Sequence, residues 1–567
     1  MKRYTVYEGD APLLAHPSIV RKLLARRGFT SPEGADEFLS PDYEKHTHSP
    51  FLMKGMEKAV ERILKAIDRK EKIVVYGDYD ADGIPGAVVL NDFFKRIKYP
   101  ITIYIPHRSD EGYGLHSDAV AEFVKDKVSL LITVDCGTSD FEAVKKAQKS
   151  GIDVIITDHH LPQETLPPSY AILNPKQKDC KYPEKMLCGA GVVFKLMQAL
   201  LSARDFALPK GIEKWSLDMV ALATLSDSVP LVGENRVFAK YGLLVFQKSP
   251  RKGLKALFKK TKLFQTHISE DDIVFMITPR INAASRMGNP YDAFSLLSTE
   301  SDEEANNLAE LLHTMNDKRK GVAASIVREI HGRLNGDEEG KKVIVMGNPS
   351  WKPSLLGLAA MRISEDVEKT VFLWGRDDDV IRGSCRSDGY TDVVALMTSI
   401  KNSFVRFGGH RFAGGFTLSH DEVHTLEENL LKAHQNLPQL SENKSGYTAD
   451  ARLSLDDVNW GMHRLIEPLS PFGLENPKPV FLFENISVEK IKHFGKNGQL
   501  HLSLEFLNSQ NSRVSAIGFF MKKEDFSFPI EERKNVDLVA SLEKSMFRGF
   551  PELRLRIIDV LPSIAVS

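Results

Sequence analysis

The chain has 567 residues, of which 42% are hydrophobic and 27% charged, which excludes disorder over most of its length. At ~100–200 residues per domain, this length predicts three to five domains. Lys and Arg number 75 and Asp and Glu 76, so any nucleic-acid site must come from local charge separation. Four cysteines without a Cys-x-x-Cys pair exclude a disulfide scaffold and predict a reducing cytoplasmic location. No apolar run reaches the roughly 18 residues that span a bilayer, so no membrane association is expected.

The first half of the chain alternates predicted helices and strands. Apolar residues at three- and four-residue steps between 51 and 72 predict a helix. Short β-rich runs follow at Ile73–Tyr76, Ile101–Ile105, Leu130–Val134 and Val154–Thr157. Segments long enough for helices separate them, for example Ala119–Val124 and Phe141–Ala147. This alternation predicts an α/β domain with a parallel, doubly wound sheet.

The pattern changes after Pro175. Helices are predicted over Val192–Leu201, Leu217–Leu225, Val237–Phe246 and Glu303–Glu329, which together form a helical connector. A Glu-rich linker at Asn335–Lys341 precedes a strand-first unit that begins at Val343–Met346. From about Gly446, alternating strands such as Leu500–Phe506, Val514–Phe519 and Leu553–Ile558 are typical of a small β-barrel.

Three carboxylates, Asp78, Asp80 and Asp82, stand at alternate positions directly after the first predicted strand. Such a cluster is costly unless a cation neutralises it, although a solvated acidic turn is an alternative. A calcium loop of the EF-hand type is excluded because its twelfth position, which needs a bidentate Glu, is Val89.

Further acidic groups follow other apolar runs: Asp135, Asp158 with His159 and His160, and Asp227 after 221–226. We interpret all of these runs as strands, whose carboxyl ends meet in one crevice of a parallel sheet. Alone, Asp135 is compatible with a helix cap and His159 with a core histidine. Together they predict a metal cluster, and carboxylates with one imidazole suit manganese or magnesium better than zinc.

These motifs resemble the four motifs of the DHH phosphoesterase superfamily. Longer stretches at 105–115, 279–287, 407–415 and 471–477 are similar to its RecJ branch of single-stranded-DNA-specific exonucleases. The resemblance implies an N-terminal segment over 1–50, a parallel-sheet DHH domain over 51–205, a helical connector containing Asp227 over 206–335, an α/β DHH-associated domain over 336–445 and a C-terminal OB-fold β-barrel over 446–567. Two departures stand out. Pro85-Gly86 replaces small hydroxyl residues, which questions the start of the next helix, and Lys352 replaces a histidine.

The resemblance also implies roles for individual residues. Two divalent ions, Mn²⁺ or Mg²⁺, would be held by Asp80, Asp82, Asp135, His159 and Asp227, with Asp135 shared between them. The expected catalytic residues are His160, Asp135 and Asp78. His160 would contact the scissile phosphate, or alternatively only orient a ligand. The expected substrate-binding residues are Arg108, Arg280, Asn282, Arg286, Ser384, Arg386, Gly408, Gly409 and His410, although any one of the arginines could instead be a surface ion-pair partner.

The function implied is 5′ to 3′ hydrolysis of single-stranded DNA to mononucleotides in recombination and repair. Alternatives are a DHH phosphodiesterase of short oligonucleotides or cyclic dinucleotides, and a non-catalytic replication factor of the same fold. Expected partners are single-stranded DNA, a single-strand-binding protein and a RecQ-type helicase, and a monomer is expected. For the basic run 251–262, the sequence predicts either a lining of a DNA path or a solvated helix face. For Phe494 and Phe547, it predicts either stacking on bases or burial.

Overall fold

The computed structural model describes residues 4–108, 110–334, 340–438, 448–495, 501–526, 528–546 and 549–563. The residues 335–339 of the predicted linker, Gly446, Leu500 and Phe547 lie outside these ranges. Strands in the described ranges form four sheets. No helix in these ranges is both long and apolar enough to cross a membrane.

A parallel five-stranded sheet forms the first α/β domain, with the order β3-β2-β4-β5-β6. Its strands are β2 (Ile73–Gly77), β3 (Thr102–Tyr104), β4 (Leu130–Val134), β5 (Asp153–Thr157) and β6 (Ala171–Leu173). Its helices are α3 (Met56–Asp68), α4 (Gly83–Arg96), α5 (Ser117–Lys125), α6 (Phe141–Lys149) and α7 (Gly189–Ala203). Every residue of β2 and β4 is buried, because α3, α4 and α7 cover one face of the sheet and α5 and α6 the other. The predicted doubly wound sheet is confirmed.

Pro85 and Gly86 do not prevent the formation of α4. Pro85 lies in the first turn of this helix, where its missing N–H is not needed for the helical hydrogen bonds. A Cβ at Gly86 would lie 2.6 Å from Cγ1 of Val134, so glycine allows α4 to approach the sheet closely.

The predicted helical connector is present. It consists of α8 (Leu217–Ser226), α9 (Gly233–Phe246), α10 (Lys252–Thr261), α11 (Glu270–Asp272), α12 (Thr278–Met287), α13 (Tyr291–Ser298) and α14 (Asp302–Arg333), and a π-helical turn lies at Ile273–Ile277. The hydrophobic core of the first sheet continues into these helices, for example to Leu222, Phe238 and Ile281. The predicted boundary at 205 therefore stays a prediction, since one core includes residues on both sides of it.

The next domain has a mixed five-stranded sheet with the order β10-β11-β9-β8-β7. Its elements are β7 (Val343–Gly347), α15 (Pro353–Val367), β8 (Thr370–Asp377), β9 (Val380–Arg386), α16 (Val393–Ser399), β10 (Arg406–His410), β11 (Ala413–Leu418) and α17 (Leu426–Gln435). Strands β7 and β8 are parallel and the other neighbours antiparallel.

The C-terminal domain is a seven-stranded sheet with the order β13-β14-β18-β19-β17-β16-β15. Its elements are β13 (Ala451–Arg452), α18 (Trp460–Ile466), β14 (Phe481–Ser487), β15 (Lys490–Phe494), β16 (His501–Leu507), β17 (Arg513–Gly518), β18 (Asn535–Ser545) and β19 (Glu552–Pro562), and β12 (Thr448–Ala449) precedes them.

The N-terminal segment packs into this C-terminal domain. It contains β1 (Thr5–Val6), α1 (Ser18–Arg26) and α2 (Pro32–Leu39). Strand β1 pairs in parallel with β12, and the apolar faces of α1 and α2 share the core of the seven-stranded sheet. Arg236 of α9 fixes this junction, since its buried guanidinium donates to the carbonyls of Phe38 at 2.6 Å, Pro468 at 2.9 Å and Ser470 at 3.1 Å.

Candidate metal centre and active site

The carboxyl ends of three neighbouring strands bring the predicted ligands together. Asp78 follows β2, Asp135 follows β4, and Asp158 and His159 follow β5. The last residues of these three strands lie in register across the sheet. Asp135 has a φ of 62°, a left-handed conformation that turns the chain sharply after the buried strand. The predicted convergence at this edge is therefore present in the structure.

The run before Asp227 received two conflicting predictions, a helix over Leu217–Leu225 and a strand over 221–226; the helix is confirmed and the strand is wrong. Residues Leu217–Ser226 form helix α8, and Asp227 is its C-cap. The run is apolar and almost entirely buried, so its sequence has no polar face to distinguish a helix from a strand. Asp227 nevertheless reaches the same crevice, because the end of α8 lies beside the carboxyl edge of the sheet: its Oδ2 is 3.7 Å from Nε2 of His159.

Backbone amides hold the acidic loop in place. Oδ1 of Asp80 accepts hydrogen bonds from the amides of Asp82 at 2.8 Å and Gly83 at 3.1 Å. The carboxylate of Asp82 accepts from the first amides of α7, Gly189 at 2.6 Å and Ala190 at 2.7 Å. A Cβ at Gly189 would lie 2.6 Å from Cβ of Asp135, so glycine lets α7 approach both carboxylates.

His159 lies at the centre of the carboxylates. Its Nε2 is 3.1 Å from Oδ1 of Asp135 and 3.6 Å from Oδ2 of Asp82. Burial, and then the charge of His160, lower the pKa of His159 to about 3. The ring is therefore neutral near pH 7, which is the form that can bind a metal ion.

Potential ligand atoms form three overlapping groups in this crevice, and the atoms within each group lie within 4.8 Å of one another. The groups are Asp78, Asp80 and Asp135; Asp82, His159 and Asp227; and Asp135, His159 and His160. Burial and mutual repulsion raise the pKa values of Asp78, Asp82 and Asp135 well above the usual value. Oδ1 of Asp78 and Oδ1 of Asp135 are buried without a hydrogen-bond donor in the described chain. Buried, mutually repelling oxygens with one neutral imidazole are a donor set that suits hard divalent cations.

Asp158 orients the two histidines. Its Oδ1 accepts from the amides of His159 and His160 at 2.7 and 3.0 Å, and lies 2.9 Å from Nδ1 of His160. Although burial opposes it, this contact raises the pKa of His160 to about 9, so the ring carries a proton on Nδ1 at neutral pH. The hydroxyl of Tyr113 donates to the carbonyl of Asp135 and lies 3.0 Å from the same Nδ1. Tyr113 was not predicted as a site residue, although it lies in the family-like stretch 105–115, because nothing in that stretch indicates that its hydroxyl contacts His160.

The predicted phosphate contacts are divided between two domains. Arg108 lies over the ring of Tyr79 at 5.0 Å, and Asn282 accepts from the amide of Ala81, so both adjoin the acidic loop. Arg286 donates to the carbonyl of Ser354, at the start of α15. Arg280 is 4% exposed and donates to the carbonyl of Met276 and toward the ring of His313, contacts that favour a structural role for this arginine.

The remaining predicted contacts lie on the second sheet. Arg386 and Ser384 of β9 face α15, where a Cβ at Gly357 would lie 3.1 Å from Nη2 of Arg386. Gly408, Gly409 and His410 form the exposed end of β10, and Gly409 has a φ of 147° that only glycine adopts without strain.

The basic run 251–262 is engaged in ion pairs at several positions. Arg251 is largely buried between Asp92 at 2.7 Å and Asp218 at 2.8 Å, and Lys252 lies 2.6 Å from Asp302. These pairs argue against a DNA path, and the buried Arg251 does not fit the alternative of a solvated helix face either.

Comparisons with known proteins identify the domains. The family models for the DHH family N-terminal domain, the DHHA1 domain and the RecJ OB domain match residues 72–224, 340–437 and 449–559. The chain is 33% identical to the single-stranded-DNA-specific exonuclease RecJ of Bacillus subtilis (strain 168), over 96% of this chain and 68% of that protein. It is 31% identical to the protein of the same name from Haemophilus influenzae, over 91% of this chain and 92% of that one.

Solved structures agree with these matches. The crystal structure of RecJ from Thermus thermophilus in complex with Mn²⁺ has a TM-score of 0.80 and 25% identity, over 100% of this chain and 80% of that chain. A crystal structure of exonuclease RecJ bound to manganese has a TM-score of 0.61 and 30% identity, over 70% of this chain and 98% of that chain. The predicted fold of a DHH domain, a connector, a DHH-associated domain and an OB domain is confirmed. The chain belongs to the RecJ family of DHH phosphoesterases.

Proposed function

We propose that this chain is a metal-dependent exonuclease that hydrolyses single-stranded DNA from its 5′ end, in recombination and repair. The observation that carries the proposal is the complete set of carboxylate and histidine ligands in one crevice, in a chain of the RecJ family. Loss of ligands would be expected of a non-catalytic relative, and every predicted ligand is present.

Asp78, Asp80 and Asp135 would hold one divalent cation, and Asp82, His159 and Asp227, together with Asp135, the other. Either manganese or magnesium fits these oxygen-rich groups. When bound, such cations polarise a phosphodiester and activate water for attack.

The protein's own contribution at the scissile phosphate comes from His160. Its Nδ1 proton is directed to Asp158, which leaves the Nε2 proton for a phosphate oxygen. Since the ring is positively charged at neutral pH, it stabilises the negative charge that grows on phosphorus-bound oxygens during attack. Asp158 and Tyr113 act as positioning residues for this ring.

Strand binding would use groups of both the first domain and the DHH-associated domain. Arg108, beside the acidic loop, and Ser384 with Arg386, on the DHH-associated domain, are the candidates for a terminal 5′-phosphate pocket. At Gly408, Gly409 and His410, the protein backbone would approach the DNA strand closely. A single-strand-binding protein and a RecQ-type helicase as partners, a monomeric state and a cytoplasmic location are part of the same proposal.

The test uses single and double strands of one sequence, labelled at either end, and incubated with Mn²⁺, Mg²⁺ or a chelator. We expect mononucleotides released from the 5′ end of single strands only, and none with chelator. Dinucleotides and cyclic dinucleotides are included as competing substrates. Faster turnover of these than of the long strand would support the small-substrate phosphodiesterase, and tight binding without cleavage in either metal would support the non-catalytic factor.

A further inference from the structure

A tight turn over residues 473–476, called the 473–476 turn here, connects the C-terminal domain to the loop that follows Asp227. It lies in the family-like stretch 471–477, which the proposed function does not otherwise use. The carbonyl of Leu474 in this turn accepts a hydrogen bond of 2.9 Å from the amide of Leu231, which lies between α8 and α9. We infer that the 473–476 turn positions Asp227 for metal binding, so that the C-terminal domain helps to build the metal centre. This inference rests on the proposed two-metal function and deepens it.

The 473–476 turn is held firmly in place. The amide of Gly473 donates to the carbonyl of Asn476 at 2.9 Å, and the amide of Asn476 donates to the carbonyl of Gly473 at 3.2 Å. The side chain of Asn476 is fully buried, and its Nδ2 donates to the carbonyls of Leu469 and Pro471, both at 2.8 Å. Its Oδ1 accepts a hydrogen bond of 2.7 Å from Nε of Arg27, the residue that caps the end of α1. The turn is therefore fixed to the N-terminal segment as well as to the C-terminal domain.

Leu231 packs directly against this turn. A Cβ at Gly473 would lie 2.7 Å from Cδ1 and 3.2 Å from Cγ of Leu231. Leu231 is 1% exposed and belongs to the hydrophobic core of the first domain. The turn thus contacts both the amide and the side chain of Leu231, and in a close-packed interior a displacement of the turn would shift this residue.

The chain from Leu231 back to Asp227 is short and packed. Leu231 is four positions beyond Asp227, and between them Val229 shares a small buried cluster with Ala190 of α7, whose amide holds the carboxylate of Asp82. Asp82 and Asp227 belong to the same group of potential ligand atoms. A shift of Leu231 would therefore change the position of Asp227, and metal sites tolerate deviations of only about 0.2 Å in ligand distance.

Little else holds the side chain of Asp227. The carboxylates of Asp80 and Asp82 accept hydrogen bonds from backbone amides, whereas that of Asp227 accepts none from the described residues. Its side chain is 33% exposed, compared with 2% for Asp82. The backbone of its loop consequently decides where the oxygens of Asp227 lie, which makes Gly473 and Leu231 positioning residues for this ligand.

The experiment measures Mn²⁺ binding to the metal-free full-length protein, from the electron paramagnetic resonance signal of free Mn²⁺, and the Mn²⁺ dependence of single-strand hydrolysis. The test variant is Gly473→Val. Gly473 does not adopt a left-handed φ, so valine fits the backbone and its side chain displaces Leu231. We expect binding of one of the two Mn²⁺ ions to weaken on the order of 10- to 100-fold, as for loss of a group that orients a metal ligand. Hydrolysis should then require correspondingly more Mn²⁺, while kcat at saturating Mn²⁺ and KM for the strand stay close to parental.

Two further variants separate this route from a general effect on the C-terminal domain. Adding Leu231→Ala to Gly473→Val removes the methyl groups that meet the new side chain, and should restore most of the Mn²⁺ affinity. Leu507→Ala changes an exposed leucine of the same domain outside the turn, and should bind Mn²⁺ like the parent.

A folded Gly473→Val variant with parental Mn²⁺ affinity would overturn the inference while leaving the exonuclease assignment intact. A loss of affinity that Leu231→Ala does not relieve would also overturn it, because the effect would not pass through Leu231. A parent that binds no Mn²⁺, or cleaves no strand with it, would instead contradict the proposed function itself. If circular dichroism shows that Gly473→Val does not fold, Gly473→Ala replaces it, since its Cβ alone already meets Cδ1 of Leu231. That variant should weaken Mn²⁺ binding to a smaller extent, and unchanged binding would equally overturn the inference.

Discussion

Replacing Asp135 by asparagine should abolish hydrolysis and at the same time stabilise the metal-free protein. Asp135 shares a group with Asp78 and Asp80 whose oxygens lie within 4.8 Å of one another. At an effective dielectric constant of about 20, two unit charges at that separation repel by roughly 3 kcal/mol. Partial protonation relieves part of this repulsion, in line with the raised pKa values of Asp78 and Asp135. We therefore expect the metal-free variant to gain about 1–3 kcal/mol in free energy of unfolding.

Asparagine is the appropriate replacement because of the backbone. Asp135 has a φ of 62°, a conformation that asparagine tolerates better than other non-glycine residues, whereas alanine would add strain of about 1 kcal/mol. Asparagine also keeps the volume of the side chain, so the loss of charge is the main change.

The assay combines urea unfolding, with chelator and with Mn²⁺, and cleavage of an end-labelled single strand. The parent should be stabilised by Mn²⁺, and Asp135→Asn should be more stable than the parent in chelator, gain little from Mn²⁺ and leave the strand intact. Asp36→Asn on the exposed surface of α2 removes the same charge and should match the parent in all measurements. Normal cleavage by folded Asp135→Asn, or a variant less stable than the parent in chelator, would refute the reasoning.

Three further predictions concern strand binding and stability. Arg386→Ala should reduce kcat/KM on the order of tenfold or more for strands with a 5′ phosphate and much less for strands with a 5′ hydroxyl, since only the former use a charge-assisted contact. The two substrates are compared in parallel, and equal losses would argue against the 5′-phosphate pocket. Phe520 is 62% exposed and flanks His501, so its ring is available for a DNA base to stack on. Phe520→Ala should therefore weaken binding of long single strands by about 1–3 kcal/mol, measured by fluorescence anisotropy. Unchanged binding would argue against stacking at this position. Arg236→Leu leaves buried carbonyls unpaired and should lower the free energy of unfolding by about 3–5 kcal/mol in urea titrations, whereas the exposed control Arg69→Leu should change it by less than about 0.5 kcal/mol.

The sequence predicts the first sheet well because its strands are buried on both faces and separated by amphipathic helices. The same reasoning brings Asp78, Asp135 and His159 together, since the carboxyl ends of parallel strands share one edge. It is ambiguous at α8, where burial on all sides removes the periodicity that distinguishes a helix from a strand, so that both a helix over Leu217–Leu225 and a strand over 221–226 were predicted.

Side-chain environments formed by distant contacts could not be predicted. The phosphate-contact motif contains both Arg280 and Arg286, yet only the structure shows that Arg280 points to His313, on a different helix. The same holds for Tyr113, whose contacts with Asp135 and His160 depend on how its loop packs. A motif gives residue types along the chain, whereas burial depends on which helix covers each side chain.

The packing of the N-terminal segment changes how the barrel's role in strand binding can be tested. Because Val20, Leu23 and Phe38 belong to the core of the C-terminal domain, a chain ending near residue 438 would expose all three to water. At ~1.5–3 kcal/mol for each large side chain, that exposure would destabilise whatever remained, and Arg236 would lose the Pro468 and Ser470 carbonyls that it now bonds. Loss of activity after such a truncation would then report disrupted packing as well as lost DNA contacts. Substitution of an exposed aromatic residue on the barrel, such as Phe520, separates the two effects because it leaves this shared core unchanged.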